Sequence, residues 1–164
     1  MIFMKLIKKY LLSILTRYLN LYHGSDVPDG NPPAKEMQAM LRSCQTIAVV
    51  GLSDRSDRDS YRVASYLKEK GYRIIPVNPV KNEILGEKCY PDLSSIPEPV
   101  DIVNIFRAVE AIPGIVEKAI RIKARAIWMQ LGLAHNESAR KARSAGICVV
   151  QSRCLMVEHK KMLG

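Results

Sequence analysis

The chain reads as an α/β protein, a doubly wound parallel sheet of about five strands forming a single domain behind an N-terminal helical arm. Three observations predict this. Short apolar runs rich in β-branched residues recur, Thr46–Val50 and Val100–Phe106 among them, as expected of strands buried on both faces. Segments with helical periodicity separate them, and strands alternating with helices form parallel crossovers. At 164 residues and 48% hydrophobic content, the chain is long enough for one core.

The elements follow in order. Over residues 1–22, Met4, Ile7, Leu11, Ile14, Leu15, Tyr18 and Tyr22 share one helical face, with Lys5, Lys9, Thr16, Arg17 and Asn20 opposite. A basic amphipathic helix of this kind lies on an anionic membrane, docks on its own domain, or meets a protein partner. Its longest uncharged run, Tyr10–Thr16, is too short to span a bilayer, and no small-residue cleavage site follows it. Gly24–Pro33 has the composition of a linker, so residues 1–33 are arm and linker and residues 34–164 the domain.

A helix over Ala34–Ser43 places Met37, Met40 and Leu41 on one face and leads to the strand Thr46–Val50. A helix over Ser60–Lys70 stops at Gly71, whose free φ suits a helix C-terminus. Strand Tyr72–Val77 breaks at Asn78-Pro79, and Lys81–Pro99 is a mixed connection carrying Pro91, Pro97 and Pro99. Strand Val100–Phe106 precedes a helix over Val109–Ile122, with Pro113 in the first turn where proline is tolerated. Strand Ala126–Gln130, helix Asn136–Ala145, a stop at Gly146 and strand Ile147–Val150 complete the alternation. An amphipathic segment, Cys154–Met162, closes the chain.

The net charge is +9, of which residues 1–33 carry +2, with four cations against Asp26 and Asp29. The basic balance suits a polyanionic ligand. Nucleic acid is disfavoured, because aromatics are only 6% of the chain and no recognition motif is present. Cys44, Cys89, Cys148 and Cys154 include no CxxC pair and no zinc spacing, which places the protein in a reducing cytoplasm and predicts no metal site. No catalytic constellation emerges: His23 is in the arm, His135 opens a helix, and Glu158-His159 reads as a solvated helical face. Trp128 reads as core.

Ligands of open α/β sheets collect at the carboxyl ends of the strands. Those ends deliver Gly51, Ser53, Asp54, Arg55 and Ser56; then Asn78, Pro79 and Lys81; then Phe106 and Arg107; then Met129, Gln130 and Leu131. Ser60 and Arg62 follow at the N-terminus of the next helix, where backbone amides favour phosphate. A dinucleotide fingerprint needs glycines where Ser53 and Ser56 stand, and an acid where Asn78-Pro79 stands, so a nicotinamide cofactor is disfavoured. A Walker sequence is absent. A ligand bearing several phosphates fits better: the amides of Ser53–Ser56 take a pyrophosphate, and Arg55, Arg58, Arg62, Lys81 and Arg107 supply countercharge. Arg55 and Arg58 have a plainer role available, neutralising Asp54, Asp57 and Asp59 within a solvated loop.

Several ordered blocks carry a family resemblance. They are 47–53 (IAVVGLS), 60–64 (SYRVA), 73–79 (RIIPVNP), 85–90 (LGEKCY), 100–107 (VDIVNIFR), 128–132 (WMQLG) and Arg153-Cys154. Over residues 34–163 the chain resembles the small stand-alone CoA-binding domain proteins, the YccU-like group. The resemblance implies a Rossmann-like domain related to the CoA-binding domain of the succinyl-CoA synthetase alpha subunit, with coenzyme A or an acyl-CoA as ligand. It implies that the Ser53–Ser56 loop contacts the phosphates, that Lys81 contacts CoA, and that Met129-Gln130-Leu131 lines the pantetheine or adenine side. The synthetase's phosphohistidine domain has no counterpart, so ligase activity does not carry over. Ala108-Val109 and Ser152 depart from the group's usual residues. The expected function is non-catalytic CoA binding. The alternatives are an NAD(P)-dependent oxidoreductase and the CoA-binding subunit of an acyl-CoA ligase acting with a partner.

Overall fold

β-Branched and small apolar residues between Gln45 and Gly51 make the first strand, β1 (Thr46–Val50), whose last four residues are all buried. Burial of consecutive residues is possible only when both faces are covered, and the computed structural model, which describes residues 26–164, shows helices on both. The expected amphipathic arm and its membrane or protein contacts fall on residues outside those described. Helix α1 (Ala34–Ser43) precedes β1, and α2 (Asp59–Glu69), β2 (Arg73–Val77) and a short antiparallel pair, β3 (Glu83–Ile84) with β4 (Glu87–Lys88), follow it. Then come β5 (Ile102–Ile105), α3 (Ile112–Arg121), β6 (Ala126–Met129), α4 (Asn136–Ser144), β7 (Cys148–Val150) and α5 (Leu155–Leu163).

The five-stranded sheet is parallel throughout and ordered β2-β1-β5-β6-β7. The pleat sends alternate residues to opposite layers. Ile47, Val49, Ile102 and Trp128 pack under α1, α2 and α5, while Ala48, Val50, Val103, Ile105 and Met129 pack under α3 and α4. Trp128 is fully buried, and its indole donates to the Arg153 carbonyl at 2.7 Å, as a core residue with a satisfied N–H should. Asp101 fixes the start of β1 by accepting from the amides of Gln45 (2.8 Å) and Thr46 (3.0 Å).

Three local expectations change. The mixed connection after β2 contains the β3–β4 hairpin, whose two-residue turn holds both Leu85 (φ 56°) and Gly86 (φ 72°) in the left-handed region. Leucine is a poor resident of such a turn, and Lys68 of α2 steadies it by donating to the Leu85 carbonyl at 2.6 Å and pairing with Glu87 at 3.2 Å. Glu158 and His159 are not on a solvated face: both are buried, because α5 turns that side onto α2 and the Arg153 loop. His159 Nδ1 lies 2.9 Å from the Tyr66 hydroxyl, with the Tyr66 and Tyr72 rings edge-on to it, and Glu158 meets Arg153 (3.5 Å) and Lys161 (3.4 Å). Residues 26–33 are a strap hydrogen-bonded to α4 and to the β7 edge, despite their linker composition.

Candidate functional site

β1 hands the chain to β2 through α2 on one face of the sheet, and β5 hands it to β6 through α3 on the other. The crevice between the ends of β1 and β5 is therefore the topological switch point. A cleft of about 520 Å³ opens there. Its walls are Val50–Asp54 after β1, Val77–Val80 after β2, Pro91–Leu93, Arg107 after β5, and Ala111, Ile115 and Lys118 of the α3 arm.

Gly51 makes the crevice narrow. Its φ is +85°, its amide donates to the Val77 carbonyl at 3.0 Å, and a Cβ there would sit 2.5 Å from the Phe106 carbonyl oxygen and 2.8 Å from Arg107 Cδ. Only glycine allows the two strand ends to approach so closely. The Arg107 stem consequently lies over Gly51, and its guanidinium joins none of the ion pairs found among the described residues. Beside it, Asn78 donates to the Leu52 carbonyl (3.0 Å) and accepts from the Val80 amide (3.0 Å), tying the β1 and β2 tips together.

The loop after Gly51 is held largely by its own groups. The Ser53 amide donates to Ser60 Oγ at 3.1 Å, and the Arg55 amide donates to Ser53 Oγ at 3.1 Å. Two of the four amides expected to meet a pyrophosphate are thus already satisfied. Ser60 is buried in this role, and Ser56 is exposed at the loop tip.

Charge at the rim also differs from the expected run of free cations. Lys81 pairs with Asp54 at 2.6 Å and Lys118 with Asp92 at 3.1 Å, and each lysine holds its partner carboxyl below the usual carboxylate range. Arg55 grips Asp57 through two nitrogens (3.1 and 2.9 Å), and Arg62 meets Asp59 at 2.5 Å. These pairs are solvent-exposed and weak, so an incoming anion can replace any of the four carboxylates.

The sequence-predicted residues divide between two cavities. Gly51, Ser53, Asp54, Asn78, Pro79 and Arg107 line the cleft, with Lys81 at its edge through Asp54. Arg62, Phe106, Gln130 and Leu131 line a second cavity of about 410 Å³, walled by Val63, Leu133, Cys154, Met156 and Val157 and set mainly on the α2 and α5 side. The side chains flanking the β5 tip point to opposite layers, which is why Phe106 and Arg107 face different cavities. Met129 is fully buried in the α3-side core and reaches neither. Gln130 donates to Asn104 Oδ1 at 2.8 Å beneath the second cavity. Sequence reasoning missed Pro91–Leu93, Ile115 and Lys118, which reach the cleft only through packing of the hairpin connection and α3. Gathering of three or more metal-ligating side chains does not occur among the described residues.

Fold and crevice together define a Rossmann-like α/β domain with its cleft at the switch point. Residues 45–160 match the CoA-binding domain family, and the chain belongs to it. It is 41% identical over 129 residues to the uncharacterized protein YneT of Bacillus subtilis, covering 79% of this chain and 96% of that one. A solved structure, a hypothetical protein from Pyrococcus horikoshii, superposes with a TM-score of 0.79 at 36% identity over 85% of this chain and 99% of that one. An ADP-forming acetate–CoA ligase of Archaeoglobus fulgidus is 34% identical over 71 residues, 42% of this chain but 10% of the ligase.

Proposed function

We propose that the protein binds coenzyme A or an acyl-CoA without transforming it, the phosphate-bearing half of the ligand entering the cleft between the β1, β2 and β5 tips. The observation that carries this reading is Gly51: it brings the β5 end against β1 and sets Arg107, a cation with no carboxylate partner among the described residues, over the floor of the crevice. Lys81, on release from Asp54, supplies a second cation. The Ser53 loop is already folded by Ser60 and loses little freedom when a phosphate arrives. Membership of a CoA-binding domain family favours CoA over other polyphosphate ligands. All four cysteines are free thiols, which agrees with a reducing cytoplasm.

Thermal-shift titration of the full chain against CoA, acetyl-CoA, NAD and NADP tests the reading. Concentration-dependent stabilisation by the CoA compounds is expected, since a ligand at one hundred times its Kd adds about 2.7 kcal/mol. Stabilisation by the nicotinamides alone would overturn it and favour the oxidoreductase. Similarity to a segment of an acetate–CoA ligase favours a second reading, in which the domain presents CoA to a nucleotide-using partner chain. Copurification of such a partner, with acyl-CoA formation on mixing, distinguishes that role from a free-standing carrier.

A further inference from the structure

The second cavity, on the α2 and α5 side of the sheet, is walled mainly by apolar side chains, with the Arg62–Asp59 ion pair at its edge. Phe106, Leu131, Leu133, Met156 and Val157 give it apolar walls, and Leu131 and Val157 remain solvent-exposed at its mouth. Its volume, about 410 Å³, falls within the range of small-molecule sites. One polar feature lies beneath it. Gln130 lines the cavity and donates to Asn104, while Asn104 Nδ2 is fully buried with no hydrogen-bond partner among the described residues. Asn104 sits between Val49 and Trp128 in register, in the layer that packs toward α2 and α5. An orphaned buried amide donor is unfavourable; Gln130 is the member of the pair that lines the cavity, so an arriving carbonyl oxygen meets the pair through the Gln130 amide.

The two cavities are also close along the chain. Phe106 belongs to one and Arg107 to the other, so a flexible ligand passing over the β5 tip enters both.

We propose that this second cavity receives the acyl end of an acyl-CoA, its chain against Phe106, Met156 and Val157 and a carbonyl of the thioester arm at the Asn104–Gln130 pair. The proposal rests on the CoA reading and adds the ligand class: acyl-CoA with an apolar chain in preference to free CoA. The cleft, which carries Arg107 and Lys118, holds the nucleotide end and sets affinity for every CoA compound, whereas the second cavity discriminates among them by chain length.

Calorimetric titration of the full chain with CoA, acetyl-CoA and octanoyl-CoA, all below micellar concentrations, tests it. Each buried methylene tightens binding by roughly fourfold, so octanoyl-CoA should bind at least about tenfold more tightly than acetyl-CoA when only part of its chain is seated. Val157→Asp, and separately Leu131→Asp, should bring the octanoyl-to-acetyl ratio close to one; both positions are exposed, so the fold tolerates the change. Equal affinity for acetyl- and octanoyl-CoA in the parent protein overturns the proposal while leaving CoA binding intact. A chain-length gain that survives both substitutions overturns it too, because the chain then lies elsewhere. Failure of all three compounds to bind removes the CoA reading and this inference together.

Discussion

Asp54 and Lys81 set the electrostatics of the cleft rim as a pair, 2.6 Å apart and each roughly half-exposed. A phosphate arriving at Lys81 must displace the Asp54 carboxylate and then tolerate it nearby. Asp54→Asn removes the competitor and the repulsion, so CoA should bind several-fold more tightly. Lys81→Ala should weaken binding by about 1–3 kcal/mol, as for a lost charge-assisted hydrogen bond. In the double variant the gain from Asp54→Asn should shrink, because its origin is the freed lysine. Calorimetry on the four proteins reads the coupling; additive effects would show that Lys81 does not meet the ligand. Nothing local in the sequence marks this pairing. Asp54 and Lys81 are separated by α2 and β2, and only the parallel return of β2 beside β1 brings their loops together.

At the scale of elements, the strap over residues 26–33 does what an extra edge strand would. Asn31 is bonded to both backbone groups of Gln151, accepting from its amide at 2.7 Å and donating to its carbonyl at 2.9 Å. The end of the edge strand β7 is thereby capped instead of left open for pairing. Asp29 adds ion pairs to Arg140 and Arg143, and Asp26 caps the start of α4 by accepting from the Asn136 amide at 2.7 Å. Asn31→Ala leaves two part-buried backbone groups without partners and should lower stability by about 1–3 kcal/mol, read as a reduced urea midpoint at unchanged slope. A midpoint equal to the parent's would mean that water replaces the side chain at no loss. The strap shows where composition misleads: Gly, Pro and Asn signal irregular backbone, not whether that backbone is anchored. Strands and helices of the main sheet are legible because burial on two faces leaves a continuous apolar run and amphipathic helices leave a 3.6-residue rhythm. The β3–β4 hairpin leaves neither, being two residues per strand with leucine at a left-handed turn position. Likewise, Gly51, Ser53 and Asn78 are legible as cleft residues because they sit at strand ends. Their division from Gln130 and Leu131 into two cavities depends on side-chain direction across the sheet, which strand order alone does not give.

The whole molecule carries a pH signature set by groups in the α1, α2 and α5 layer and by Asp101 at the strand starts. His159, buried between α5 and the Tyr66 and Tyr72 rings, is held below the ordinary histidine value of 6.5 by burial first and by Lys70 second. The groups facing it from α2 and its C-terminal cap, Tyr66 and Lys70, offer no negative charge to accommodate imidazolium. Asp101 is held below 3.8 although burial pushes it up, because the Gln45 and Thr46 amides and Arg125 outweigh burial. Both groups bind protons more readily in the unfolded chain, so both add stability that is complete above the unfolded value and lost as pH falls. Acid should therefore destabilise the protein in two steps. A histidine step begins near pH 6.5 and ends at the lower folded value, and a carboxylate step begins near 3.8. At the other end, burial raises the thiols of Cys44, Cys89 and Cys148 above 9.0; the stability they contribute is full below 9.0 and declines as alkali passes through the folded values. The acid limb has a specific control. His159→Gln keeps a hydrogen-bond partner for the Tyr66 hydroxyl and removes the titration, so urea midpoints measured from pH 8 down to pH 5 should become flat while the carboxylate step persists. Since α5 carries both His159 and the Met156 and Val157 wall of the second cavity, loosening of that helix below pH 6.5 should weaken long-chain acyl-CoA binding before it weakens CoA binding. Parallel loss of both affinities would place the acid-sensitive contact elsewhere.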